Sequence, residues 1–292
     1  MPDLDREGGR HIERWSRMRA GLTLYGLASL ACGIMDLIWG DFDSAHQPIQ
    51  ALGDNIPGRA VLAYLVGAVM VAGGIAILWR RRAPAGAAAL AIIYFVFALF
   101  WFPRLYTAPH YLGVRVPVYI GVLAGLGMEL IAFAGGALVY AALATRNSSW
   151  SQWPRAVLIM RWIFGLCSID FGLNHLVNIK DCLVYVPKSM PLGQQFWVIA
   201  TGICFVLAGL AILTGIQDVL AARLLALMFL TFNVLALPQF VLADPKNHAA
   251  WGGNAFNLAL VAANWLLADS IAIRRREVQN QPSAKSLTPL QA

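Results

Sequence analysis

"FWVIATGICFVLAGLAIL", residues 196 to 213, carries no charge, and Thr201 is its one hydroxyl. A strand facing lipid alternates apolar and polar side chains over about 10 residues, and no such alternation is present. A helix of about 20 residues rises about 30 Å, the thickness of bilayer hydrocarbon. Backbone groups in lipid must bond within their own segment, which a helix achieves alone. The stretch therefore predicts a membrane-spanning helix over 196–216.

Outward from it the pattern recurs near residues 20–40, 60–79, 84–102, 117–143, 156–177, 219–237 and 253–271. The whole chain of 292 residues is 59% hydrophobic and 13% charged, with a mean hydropathy of +0.63. Soluble domains carry roughly 25% charge. These values predict an all-α, polytopic membrane protein of eight transmembrane helices in contact with the lipid bilayer. The first 19 residues have five arginines but no short apolar core with a small-residue cleavage site, so the first helix reads as an uncleaved anchor.

With the N-terminus inside, sixteen Lys and Arg residues fall on that side, among them Arg6, Arg10, Arg14, Arg17, Arg19, Arg80 to Arg82, Arg146, Arg274 to Arg276 and Lys285. Six (Arg59, Arg104, Arg115, Lys180, Lys188 and Lys246) fall on the other. The positive-inside rule then places residues 1–19 and 272–292 as cytoplasmic tails of a cell-membrane protein. The net charge of +7 is thus an orientation signal, and no folded basic face suggests nucleic acid. The polar stretch "REVQNQPSAKSLTPLQA" at the end is expected to be disordered.

Sliding the chain by 135 residues sets 64–109 on 199–244 without a gap. Gly67 meets Gly202, Gly74 meets Gly209, and Pro103 meets Pro238, where the third and seventh helices are expected to end. The first helix of each half aligns at 139, Gly26 on Gly165 and Gly33 on Gly172. Two parallel four-helix repeats, 20–143 and 156–271, follow from this reading. Asp36 then corresponds to His175, and Glu129 to Asn264.

Polar groups inside apolar helices are the candidate site. Glu129 lies near mid-membrane, where a carboxylate must face protein or water, and is a functional hypothesis by default. Asp170, Asn174 and His175 share the stretch "SIDFGLNHLVN" at 168–178, and Asp36 occupies the depth of His175. Asn254, Asn257 and Asn264 form one stripe of the eighth helix, which Asn233 and Asn174 are expected to face. Together these residues are expected to line one polar interior, shared by the two bundles and open to the outer side. The bland alternative stays open: Asn233, Asn254 and Asn257 joining helices, at about 0.6 kcal/mol each, and His175 tied to a loop.

Other features read as packing. Gly121 and Gly125 form a small-residue step. Trp39, Trp101 and Trp251, and on the other side Trp79, Trp150 and Trp153, read as interfacial belts. Arg161 is expected to snorkel or to meet Asp170. Cys182 alone of four scattered cysteines lies in an outer loop, free to be inert or to pair with another chain. The outer loops "DFDSAHQPIQALGDNIPG", with Asp41, Asp43 and Asp54, and "KDCLVYVPKSMPLGQQ" read as lids or docking surfaces.

From Arg161 onward, "RWIFGLCSIDFGLNHL", Pro187, Pro191, the opening stretch and "AARLLALMFL" resemble the DoxX-like family of small four-helix membrane proteins, over about residues 161–240. The resemblance implies a four-helix bundle. Some relatives are linked to quinone-dependent oxidation of reduced sulfur compounds or to membrane redox complexes. The family often places a Lys or His soon after the first helix's second glycine, as His175 follows Gly172, whereas the first half has Asp36 there.

Three functions remain open at this point. One is a quinone-linked membrane subunit in which His175, Asp170 or Glu129 handles protons. No haem, iron-sulfur or flavin signature occurs, so its electrons would come from a redox partner protein. Another is a small-molecule or proton transporter, and the last a structural scaffold. With His175 the one histidine in an expected span, no metal set is legible.

Overall fold

The computed structural model describes residues 2–43, 46, 57–144 and 153–280, the backbone alone for 2–11. Among the described residues every regular element is helical, and eight helices are long and apolar enough to cross a membrane. In chain order they are α1 (Pro2–Trp39), α2 (Arg59–Ile77), α3 (Ala83–Trp101), α4 (Val116–Leu143), α5 (Trp153–Val177), α6 (Gln194–Thr214), α7 (Asp218–Ala243) and α8 (His248–Gln279). A short helix, Arg104–Leu112, joins α3 to α4.

Local chemistry sets the ends. Pro84 and Pro117 sit in the first turns of α3 and α4, where a missing N–H costs nothing. Gly215, at φ +80°, closes α6 in the left-handed conformation that a side chain disfavours. The Asn247 side chain accepts from the Ala250 N–H at 3.1 Å and caps α8.

Within each half, consecutive helices pack side by side; between halves α8 packs on α1, α5 on α4, and α4 against α8. The last two are the most enclosed helices, and they carry Glu129 and the asparagine stripe. Outward faces expose Leu62, Leu65, Leu207, Leu210, Leu224 and Leu227, a surface suited to acyl chains.

Glycine sets the closest approaches. A Cβ on Gly33 would stand 2.5 Å from the Gly67 carbonyl, and one on Gly26 2.8 Å from that of Gly74. In the second half Gly172 stands to Gly202 at 2.6 Å and Gly165 to Gly209 at 3.1 Å. The α1/α2 and α5/α6 crossings thus rest on the same two glycine pairs. Gly125 serves a different purpose from the expected helix-helix step: the Trp101 ring fills the place of its Cβ, at 2.0 Å.

Several expectations about the ends are corrected. Residues 2–19 continue the first helix toward the N-terminus: α1 begins at Pro2, Met18 is fully buried, and Arg14 Nε pairs with Glu277 at 2.8 Å. That pair places the ends of α1 and α8 on one face. Residues 276–279 are likewise helical, while residues 281–292, with Lys285, lie outside the described residues, as do Asp54, Arg146 and Trp150.

The seventh helix does not end at Pro238 either. A π-helical segment, Phe232–Ala236, shifts the backbone register, with Leu237 N–H donating to Phe232 O at 2.9 Å, and Pro238 opens a further turn. Trp153 is buried under Arg14, 4.9 Å from its ring, instead of sitting in a belt. Cys182 is buried and Cys204 exposed, the reverse of the expected accessibility.

Candidate functional site

Glu129 lies thirteen positions into α4, fully buried, and neither carboxyl oxygen has a hydrogen-bond partner. Facing it is His46, whose Nε2 is 3.8 Å from Oε1. His46, on the connection after α1, is therefore buried inside the bundle, while residues 44, 45 and 47–56 of that connection, expected as a lid or docking surface, lie outside the described residues. Phe42, Asp43 and His46 are all buried, and His46 N–H donates to the Asp43 carbonyl at 3.0 Å.

An aromatic sleeve drawn from two helices fixes the imidazole. His46 stacks on Phe97 of α3, centroids 4.4 Å apart and planes at 8°, and meets the Phe256 ring of α8 edge-on at 4.7 Å. Tyr94 closes a third side at 6.1 Å and shares a 3.1 Å hydrogen bond with Ser29 of α1. Burial holds the His46 pKa below its ordinary value, while Asp43 and Asp36 pull the other way. A proton passing between Glu129 and His46 changes a neutral pair into an ion pair without changing the cluster's proton count.

Asp36, one turn from the end of α1, is buried and accepts from Asp43 N–H at 3.2 Å. Its Oδ1 stands 3.6 Å from Nε2 of His248, the first residue of α8. The His248 ring stacks on Trp39 at 4.8 Å and remains partly open to the face opposite the termini. Asp43 fits only because α8 has a glycine beside it: a Cβ on Gly252 would be 1.9 Å from Oδ2. Three carboxyls and two imidazoles, from α1, the connection after it, α4 and the first residue of α8, are therefore gathered in one cluster. Among the described residues no three His, Cys, Asp or Glu side chains are arranged to hold a metal ion.

Of the expected site residues, only Asp36 and Glu129 belong to this cluster. Asn257 donates to Phe229 O at 2.8 Å and to Asn233, Asn233 donates to Asn254 O at 2.9 Å, and Asn254 reaches Leu237 O at 3.3 Å. Asn257 and Asn254 thus bind carbonyls on either side of the π segment of α7, and Asn233 of that segment binds back to α8. Asn264 donates to Leu260 O of its own helix at 2.9 Å.

Asn174 does not face the stripe. It accepts from Asn178 at 2.8 Å, and both lie beside Gly121 of α4. His175 shares a 2.9 Å hydrogen bond with Thr201 of α6, its ring 5.3 Å from Phe205. Asp170 is half-buried on α5 and does not meet Arg161, which instead binds Ile212 O at 2.9 Å and lies 3.6 Å from Asp218. The single shared interior thus resolves into separate groups with different partners.

The sequence reading missed His46, Asp43 and His248. Their signal was faint: an acidic, histidine-bearing connection opposite a glycine and an aromatic of the last helix. Asp218, fully buried and paired with Arg275 at 2.6 Å, and Asp269, paired with Arg223, were also missed. Comparison with protein-family models finds no matching family. Comparisons with curated proteins and with solved structures likewise find no match.

Proposed function

We propose that this chain, a multi-pass membrane protein, exchanges protons with a small lipophilic ligand at Glu129 and His46, and that its two halves are related DoxX-like four-helix units with both termini cytoplasmic. The observation that carries the reading is Glu129: a carboxyl group fully enclosed in protein, with no hydrogen-bond partner and an imidazole 3.8 Å away. Such a group costs stability, and costly intramembrane carboxyls mark ligand or proton sites. The equivalent glycine crossings of α1/α2 and α5/α6 support the relation between halves.

A quinone is the ligand class that the resemblance suggests; when bound, it supplies two-electron, two-proton chemistry, with electrons coming from a partner protein. The residues suit it as proton carriers, since neither Glu129 oxygen has a hydrogen-bond partner of its own. His46 itself occupies the slot between Phe97 and Phe256, so those rings orient the imidazole. His175, with its hydrogen bond to Thr201, is assigned to joining α5 and α6.

The test is to purify the full chain in mild detergent and analyse the organic extract for isoprenoid quinone, with Glu129→Gln and His175→Ala alongside. The expected result is quinone in wild type and His175→Ala and its loss in Glu129→Gln. Extracts without quinone, together with proton-coupled uptake by reconstituted vesicles, would assign transport instead. Substitutions that change thermal stability alone would assign a scaffold.

A further inference from the structure

Glu129 and His46 are buried at mid-depth, so any proton they exchange must cross part of the protein to reach water. Toward the termini the way is apolar. Met18 and Leu22 of α1, Leu138 and Val139 of α4, and Leu266 of α8 are buried at 2% exposure or less. Of the hydroxyls near the cluster, Tyr25 donates to Ala132 O at 2.6 Å and Tyr94 is bonded to Ser29; Ser270 of α8 lies further toward the termini, beyond these apolar side chains.

Toward the opposite face the groups are ionisable and adjacent. The Asp43 carbonyl accepts from the His46 backbone N–H at 3.0 Å, the Asp43 N–H is bonded to Asp36, and Asp36 stands 3.6 Å from His248. His248 is the member of the cluster with a side chain open to the surface, at 14%. The gaps of 3.6 and 3.8 Å exceed a direct hydrogen bond and are of the size that one water or a small side-chain movement bridges. Other titratable groups facing the cluster are Cys32 and Tyr25 on α1, Tyr94 on α3 and Arg104 at the start of the short helix.

We propose that Asp43, Asp36 and His248 form a one-sided proton path that connects the Glu129 and His46 pair to the face opposite the termini. The path deepens the proton-handling reading and rests on it: the same site takes up and releases protons on that face. Gly252 belongs to the path as the residue whose missing side chain lets the Asp43 carboxyl sit between α1 and α8. With termini cytoplasmic, the exchange is with the exterior. Asp36 and His248 act here as proton carriers and do not touch the ligand.

The experiment follows the ring N–H of His46, which neutral and charged imidazole both carry. The full chain, labelled with 15N-histidine, is placed in lipid nanodiscs, and the solvent-exchange rate of each ring N–H is measured by NMR. The chain has five histidines, and His46→Gln assigns the signal. Asp36→Asn and His248→Gln are expected to slow His46 exchange tenfold or more, with Asp36→Glu restoring it.

The direction separates this role from a structural one, because a substitution that merely loosens the inserted segment admits water and speeds exchange. Unchanged or faster exchange in both variants overturns the path. Since no quinone is needed for the measurement, a slowed rate with no quinone in the extract would retain the path and refute the ligand assignment.

Discussion

Replacing Glu129 by methionine removes two buried oxygens that have no hydrogen-bond partner while preserving most of the side-chain volume. Each unmet polar atom costs about 1 to 3 kcal/mol in the folded state. The attraction to His46 at 3.8 Å offsets part of that, and the imidazole of the variant keeps its aromatic sleeve. A net gain of about 2 kcal/mol is expected, which for a chain of this size corresponds to a Tm rise of roughly 4 to 8 °C. The ten tryptophans supply an intrinsic fluorescence signal for thermal unfolding in detergent. Glu129→Gln, which retains polar atoms, should show little gain, and Leu138→Ala should lower Tm as a packing control. A Glu129→Met protein that melts below wild type would mean that the carboxyl is a structural tie, and the argument for a functional site at α4 would fail.

Other perturbations test separate links. Gly33→Ala and Gly172→Ala place a methyl group against facing backbone at 2.5 and 2.6 Å, and each should cost about 1 to 3 kcal/mol by overpacking, read as a matched fall in Tm; a loss in one half alone would count against equivalent crossings. Asp218→Ala removes the buried carboxylate that Arg275 and Arg161 meet at the terminal face and, with Arg275 half exposed, should destabilise by about 1 kcal/mol in chemical denaturation. The folded pKa of His46 is depressed below its ordinary value of 6.5. Its contribution to stability is therefore full above pH 6.5 and is lost as pH falls toward the folded value. A Tm series from pH 8 to pH 5 should decline in wild type and decline less in His46→Gln.

The eight spans were legible because twenty apolar residues in a row admit few other structures. What sequence misjudged was where they stop. Pro238 ends an α-helical ladder, yet two asparagines of α8, Asn254 and Asn257, bind the carbonyls of Leu237 and Phe229 around it and let α7 continue, a compensation that no local pattern displays. Arg14 resembles part of a solvated tail until Glu277, far along the chain, supplies a partner. Glu129 was legible as a carboxyl in an oily helix. His46 was not, because its burial is decided by Gly252 and Phe256, some two hundred positions away, and a histidine in a polar connection gives no sign of where that connection goes. The asparagine stripe was legible as a stripe, but whether amides serve a ligand or a carbonyl depends on register in the neighbouring helix.

The origin of the His46 sleeve has a consequence for biosynthesis. Its histidine comes from the connection after the first helix, but one wall, Phe256, and the surface-facing His248 come from the last. A nascent chain that has inserted seven helices already contains Asp36, Asp43 and Glu129 without the elements that enclose them. Membrane insertion of α8 is thus the step at which three acidic groups cease to be exposed to a half-built bundle, so truncation products ending before residue 248 should be preferred targets of membrane quality-control proteases.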